Sequence, residues 1–301
     1  MTNSNSEHDP NRSRVHSTEV RHFSAADPDA LTSSDCTLSA ASIPEVLTAL
    51  KEFPPTASGN GGDPVRLWFR GQGNLELPLW PAVGRPQFFG PSDGFDDLDP
   101  ESALGAFERY VFREFEGRAA PLLPAHLTLV QRYFIAQHFG LPTRLLDWTT
   151  NPLVALYFAA SDRRFEKQDG GLFFFGHQLG IGIPCVGQND ATLVEAVGAA
   201  VSRGQPPPGL IAVRPHANPL RISAQFSCFT FHGASPKESV PDRFAARFPI
   251  GSANADSHVI RIPADSKPRL LRELRVLGVT GEQIFPDLNG VVRGILEEFE
   301  C

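Results

Sequence analysis

Helical spacing organises the apolar positions in some stretches of this chain and short apolar runs do so in others, with turn-forming residues between them. Leu104, Phe107, Val111 and Phe115 recur at helical spacing and predict a helix over 101–116. A second is predicted over 127–139, halted at Gly140. Asn151 to Ala160 predicts a third, with Pro152 in its first turn and Leu153, Leu156, Tyr157 and Ala160 facing inward. Ser42 has the character of an N-cap for a short helix carrying Val46, Leu47 and Leu50. Further helices are expected over 264–277, stopped by Gly278, and from Leu288 to Phe299. A helix followed by a loop is expected within Ala196 to Gly209. Strands are expected at Val65–Arg70 (ending at Gly71), Gly171–Gly176, Leu210–Val213, Phe226–Phe231 and His258–Ile262. Pro54–Pro64 and Phe88–Asp99 read as loops, and Leu75–Arg85, punctuated by proline, as a segment crossing the surface of the core.

Strands and helices are interspersed without a βαβ repeat, and no G-x-G-x-x-G occurs. The expected fold is therefore α+β: a mixed, largely antiparallel sheet core with flanking helices. Met1 to about Ser39 is rich in Ser, Asn, Asp, Thr and Arg without apolar periodicity and reads as a flexible tail; residues 40–301 read as a single domain.

Composition narrows the functional classes. No apolar run approaches the ~20 residues of a membrane helix, and Met1–Arg14 is polar, so neither a membrane anchor nor secretion is expected and the localisation read is cytoplasmic. The four cysteines (Cys36, Cys185, Cys228, Cys301) are sparse and far apart, which suits a reducing compartment and gives no zinc-ligand spacing. A net charge of −7 gives no general electrostatic footprint for nucleic acid.

Three segments place polar groups inside apolar sequence. In Leu67-Trp68-Phe69-Arg70-Gly71-Gln72 an arginine follows three apolar residues on a strand, and a glycine then allows close approach of backbone or ligand. An edge-strand arginine paired to a carboxylate is the plainer alternative. The second segment, 137–159, carries Thr143, Arg144, Asp147, Trp148 and Thr149 ahead of a helix. Asp147 or Thr149 as a helix cap accounts for one of them but not for all. In the third, 281–290, Asp287 reads as a turn or cap residue and Glu282 as an exposed charge or a site residue.

Together these segments resemble the FRG domain family, named for its Phe/Tyr-Arg-Gly motif. The resemblance rests on Phe69-Arg70-Gly71-Gln72, Pro81–Arg85, Gly140-Leu141-Pro142-Thr143-Arg144-Leu145-Leu146-Asp147-Trp148-Thr149, Asn151-Pro152, Ala155–Ala159, Gln225–Phe231 and Phe285–Gly290, and covers about residues 43 to 299.

A weaker resemblance runs to ADP-ribosyltransferases of the Arg–Ser–Glu type. Arg70-Gly71, then Asp147-Trp148-Thr149 leading to Ala155-Leu156-Tyr157-Phe158-Ala159, then Glu282 follow the order of that family's elements. The resemblance implies an ADP-ribosyltransferase-like fold and NAD as substrate. Arg70 would anchor its pyrophosphate, Thr149 would orient, and Glu282 would be catalytic, with Asp147 where that family has a hydroxyl. It places Phe69, Gly71, Gln72, Thr143, Arg144 and Trp148 around the nucleotide, with Trp148 or Phe69 stacked on nicotinamide. The acceptor it implies is a protein or nucleic acid, and the setting a bacterial toxin or antiphage effector. Two other readings stand beside it: a non-catalytic module binding a nucleotide or partner, and a hydrolase or nuclease with Asp147 as acid or base. The lack of a second nearby carboxylate in the sequence counts against the hydrolase.

Overall fold

The computed structural model describes residues 38–51, 67–85, 98–176, 185–215, 225–233 and 257–299. Residues 1–37 of the expected tail, the expected loop at 54–64, residues 88–97 of the loop expected over Phe88–Asp99, and Val65–Arg66 of the first expected strand lie outside these residues. The described chain runs β1 (Leu38–Ser39), α1 (Ile43–Lys51), β2 (Leu67–Gln72), α2 (Pro100–Ala119), α3 (Leu129–His138), β3 (Leu145–Thr149) and α4 (Pro152–Ser161). It continues through β4 (Gly170–Gly176), β5 (Cys185–Gly187), α5 (Ala191–Arg203), β6 (Leu210–Arg214), β7 (Ser227–His232) and β8 (Ser257–Ile262). Three helices close it: α6 (Lys267–Val276), α7 (Gly281–Ile284) and α8 (Leu288–Glu298).

The strands form one mixed sheet in the order β1-β8-β4-β2-β3-β7-β6-β5. Among the described strands only the outermost pairs, β1/β8 and β5/β6, are parallel; the five inner pairings are antiparallel. The expected α+β class with a largely antiparallel sheet is what the chain adopts. Several elements differ from expectation: β5 and α7 are not among the expected elements, and two others differ in kind. Leu38–Ser39, read as the end of a tail, is a strand paired to Ile260–Arg261 of β8. Leu145–Thr149, read as the approach to a helix, is a strand paired with β7 along all its residues. Asp147 and Thr149 therefore do not cap α4; Asn151 does, its side chain accepting from the Leu153 amide at 2.9 Å.

Strand alternation sorts the core into two faces. Leu172 and Phe174 of β4 pack with Phe69, α1, α4 and α6, while Phe173 and Phe175 pack on the opposite face with Trp68, Leu146 and Trp148. Leu75 and Leu79 of the proline-punctuated segment cover this opposite face. Further along the sheet, Leu145, Ile211, Val213, Phe229 and Phe231 pack beneath α2, α3 and α5. Phe69 is the register partner of Thr149, so the cluster under α4 and the cluster under α3 share one face of the sheet.

The closest approach in this layer is α4 on β2. A Cβ built on Gly71 would lie 1.7 Å from the Ala155 carbonyl oxygen and 2.6 Å from the Ala159 amide nitrogen. Gly170 of β4 is in the same position, 2.6 Å from the Ala159 oxygen. The Phe-Arg-Gly glycine is thus required by the helix rather than by a turn. Gly71→Ala is expected to cost about 3 kcal/mol or more, at or above the upper end for overpacking. Gly117→Ala is the control: the residue is exposed on α2, an added Cβ there meets nothing within 4 Å, and stability should rise by roughly 0.5–1 kcal/mol. Urea unfolding of both variants checks this, and equal midpoints would contradict it.

Candidate functional site

β2 is paired with β4 along its whole length but with β3 only at Phe69–Thr149. Past that pair, the Arg70 guanidinium makes the link between the two strands: Nη1 donates to the Asp147 carbonyl at 2.8 Å. Its Nε is buried and has no hydrogen-bond partner among the described residues. Burial lowers the Arg70 pKa to about 10; the Arg85 charge acts in the same direction and Asp147 opposes it. The group is still a cation at neutral pH, held in a site that does not satisfy it.

A cleft of about 610 Å³ opens beside it, between α3 and α4 on the helix-covered face. Its floor is Phe69, Arg70, Gly71, Asp147, Trp148, Thr149 and Phe229. One wall comes from α3 and its cap (Phe134, Gln137, His138, Phe139), the other from α4 (Val154, Ala155, Phe158). Gln225, Asp287 and Asn289 close a third side. The three sequence segments therefore converge on one cavity, although they lie on elements far apart in the chain.

The residues named from sequence divide within it. Asp147 is exposed, and its Oδ2 accepts from Gln137 Nε2 at 3.0 Å. Thr149 lines the cleft, but its hydroxyl is committed: it donates to the Gln225 carbonyl at 2.6 Å and accepts from the Asn151 amide at 3.0 Å. The ring of Trp148 packs on the opposite face of the sheet, edge-on to Phe175 at 4.7 Å, with Nε1 donating to Thr230 at 3.0 Å. Phe69 is 5% exposed and packs against Phe174. Neither aromatic is free to stack on a ligand; exposed Phe139 at the end of α3 and half-buried Phe158 of α4 offer that surface instead. Gln72 faces a second, smaller cavity.

Thr143, Arg144 and Glu282, also named from the sequence, do not line the cleft. Thr143 is fully buried and donates to Gln137 Oε1 at 2.5 Å. It thereby turns the amide nitrogen of Gln137 toward Asp147. Arg144 is 1% exposed and pairs with Glu108 of α2 at 2.6 Å. Tyr133 of α3 donates to the same carboxylate at 2.6 Å and accepts the Arg144 amide at 2.8 Å. A further Arg144 bond reaches the Gly233 carbonyl. These contacts fasten two helices to β3 and the end of β7, and burial beside that carboxylate drives the Tyr133 pKa well up.

Glu282 is exposed in the first turn of α7 and lies against α8, where its Oε2 would be 3.6 Å from a Cβ on Gly294. The physical reason is the packing of α7 on α8. Glu297 of α8 accepts from Tyr157 of α4 at 2.5 Å and from the Gly281 amide at 3.1 Å. That latch delivers Asp287 and Asn289 to the cleft while leaving Glu282 outside. Asp287 also caps α8, accepting from Gly290 at 3.0 Å.

Sequence reasoning did not single out Gln137, His138, Gln225 or Asn289. Gln137-His138 immediately before the Gly140 stop was the available signal: Gly140 has φ 87° and ends α3 beside the cleft. Among the described residues no cluster of three or more His, Cys, Asp or Glu could hold a metal, and no helix is long and apolar enough to cross a membrane.

In comparisons with known proteins, the FRG domain matches residues 65–168. That span holds β2, β3, α3 and α4, and so the floor and two walls of the cleft; Gln225, Asp287 and Asn289 lie beyond it. No curated protein and no solved structure matches the chain. The ADP-ribosyltransferase resemblance finds no support in these comparisons.

The buried Arg144–Glu108 pair generates a stability prediction independent of any ligand. Glu108→Ala leaves a guanidinium and a tyrosine hydroxyl without their acceptor and is expected to cost about 3–5 kcal/mol. Chemical denaturation measures this; a change within about 0.5 kcal/mol, the surface value, would mean that the network does not fasten the helices.

Proposed function

We propose that this chain is an FRG-type nucleotide-binding module whose cleft takes NAD or a closely related dinucleotide, with Arg70 as the anion anchor. The observation that carries the reading is the unsatisfied, part-buried Arg70 guanidinium at the floor of a nucleotide-sized cleft. Such a group is best completed by phosphate oxygens, which its planar fork meets in pairs. Asp147 and Asp287 set carboxylates in the same cleft. A ligand with an anionic centre and a cationic or hydroxyl-rich end complements this charge pattern, and NAD has both. The exposed ring of Phe139 and the half-buried ring of Phe158 supply stacking surface.

Transferase chemistry is the second reading, favoured by one specific feature: a carboxylate, Asp147, stands beside the anchor. In that case Asp147, not Glu282, would stabilise the oxocarbenium-like centre formed as the nicotinamide–ribose bond breaks, and the acceptor would be a protein or nucleic acid. A toxin or antiphage role belongs to this reading.

Calorimetric titration with NAD tests the first reading. Arg70→Lys keeps the charge but loses the fork, so affinity should fall at least tenfold, about 1.4 kcal/mol. Glu282→Gln should bind as the wild type does. Unchanged affinity in folded Arg70→Lys would remove Arg70 as anchor. For the second reading, nicotinamide release should fall by about a hundredfold in Asp147→Asn and stay unchanged in Glu282→Gln. Equal release from wild type and Asp147→Asn would refute it.

A further inference from the structure

Behind Arg70, away from the main cleft, lies a second cavity of about 190 Å³. Three arginines line it: Arg70 from β2, Arg85 from the end of the proline-punctuated segment, and Arg164 from the turn after α4. Asp162 is the one carboxylate among its lining residues, and it is already engaged. Its Oδ1 accepts from the Arg164 amide at 3.1 Å and from Nε at 3.0 Å, and its Oδ2 accepts from Nη2 at 2.7 Å. Arg164 is thereby neutralised and held over the Phe165 ring, 5.5 Å from its centroid.

Arg70 and Arg85 are not neutralised. Among the described residues neither has a carboxylate within ion-pair distance. Arg85 is oriented by one bond from Nε to the Trp80 carbonyl at 3.0 Å. Burial lowers its pKa, Asp147 opposes that, and Arg164 adds to the lowering; Arg85 in turn lowers Arg70. Two like charges are thus gathered in partly buried positions where Arg85 disfavours the charge of Arg70, and the buried Nε of Arg70 is unpartnered among the described residues. Charges so placed are costly unless an anion offsets them.

We infer that the small cavity is a phosphate subsite, in which Arg70 and Arg85 together grip a phosphate or pyrophosphate group while Arg164, fixed by Asp162, closes the rim. Because Arg70 lines both cavities, the bound group sits at the junction. The remainder of its carrier lies in the main cleft when that carrier is a nucleotide. Only this last point rests on the nucleotide-binding reading; inorganic pyrophosphate would occupy the same subsite without it. Arg85 is thus a specificity residue for phosphorylated over unphosphorylated ligands.

The test compares adenosine, ADP and inorganic pyrophosphate by calorimetry on wild type, Arg85→Gln and Arg85→Lys, with circular dichroism confirming the fold. The wild type is expected to bind ADP at least tenfold more tightly than adenosine and to bind pyrophosphate. Arg85→Gln should lose both preferences while adenosine affinity is unchanged, and Arg85→Lys should fall between. Arg85-dependent pyrophosphate binding without binding of either nucleoside ligand would sustain the subsite and defeat the nucleotide reading. Nucleoside binding with no preference for ADP, or a preference that persists in Arg85→Gln and Arg85→Lys, would overturn the subsite and spare that reading. Binding of none of the three by the wild type would overturn both.

Discussion

The contact of α4 with β2 at Gly71 leaves no room for a single methyl group. Everything that makes the cleft depends on that approach. It seats Phe158 and Ala155 beside the sheet, and it lets Asn151 cap α4 directly after β3. It also sets Tyr157 where Glu297 can tie α7 and α8 to the core. Small residues at 71, 155 and 159 therefore have a function through geometry: they bring a helix close enough to wall the cavity whose floor is Arg70.

The two arginines singled out in the sequence have opposite fates, and the contrast supports the role proposed for Arg70. Arg144 is more deeply buried, but its charge is met by Glu108 and by the Gly233 carbonyl. It fastens α2 and α3 to the sheet and has nothing left to offer a ligand. Arg70 has one backbone carbonyl, an unpartnered Nε and a cationic neighbour in Arg85. A buried polar group left incomplete carries a cost in the free protein that binding can relieve, and it is this incompleteness, rather than burial, that supports the role proposed for Arg70.

Much of the fold was legible because its helices carry clear stops and starts: Gly140 and Gly278 end α3 and α6, and Asn151-Pro152 starts α4. β3 was not legible. Leu146 and Trp148 point to one face and Leu145, Asp147 and Thr149 to the other, so a polar residue facing a cavity broke the apolar pattern of a strand. Phe69, Arg70, Gly71, Asp147 and Thr149 could be assembled from sequence since each is out of place locally. Glu282 could not be excluded the same way. Its position depends on α7 packing against α8 through Gly281, Gly294 and Glu297, a tertiary arrangement with no local signature. Arg85 went unweighted for the converse reason: its neighbours Arg70 and Arg164 are distant in sequence and meet only in the fold.

The most direct test of Arg70 as an anion anchor is to follow its Nε–H resonance by ¹⁵N–¹H NMR during titration with ADP, assigned by its loss in Arg70→Lys. A phosphate oxygen accepting from the guanidinium at about 2.7–2.9 Å should shift the resonance and slow its exchange with water, saturating at the calorimetric affinity, while adenosine leaves it in place. An Nε–H signal unmoved at full ADP occupancy would contradict the account.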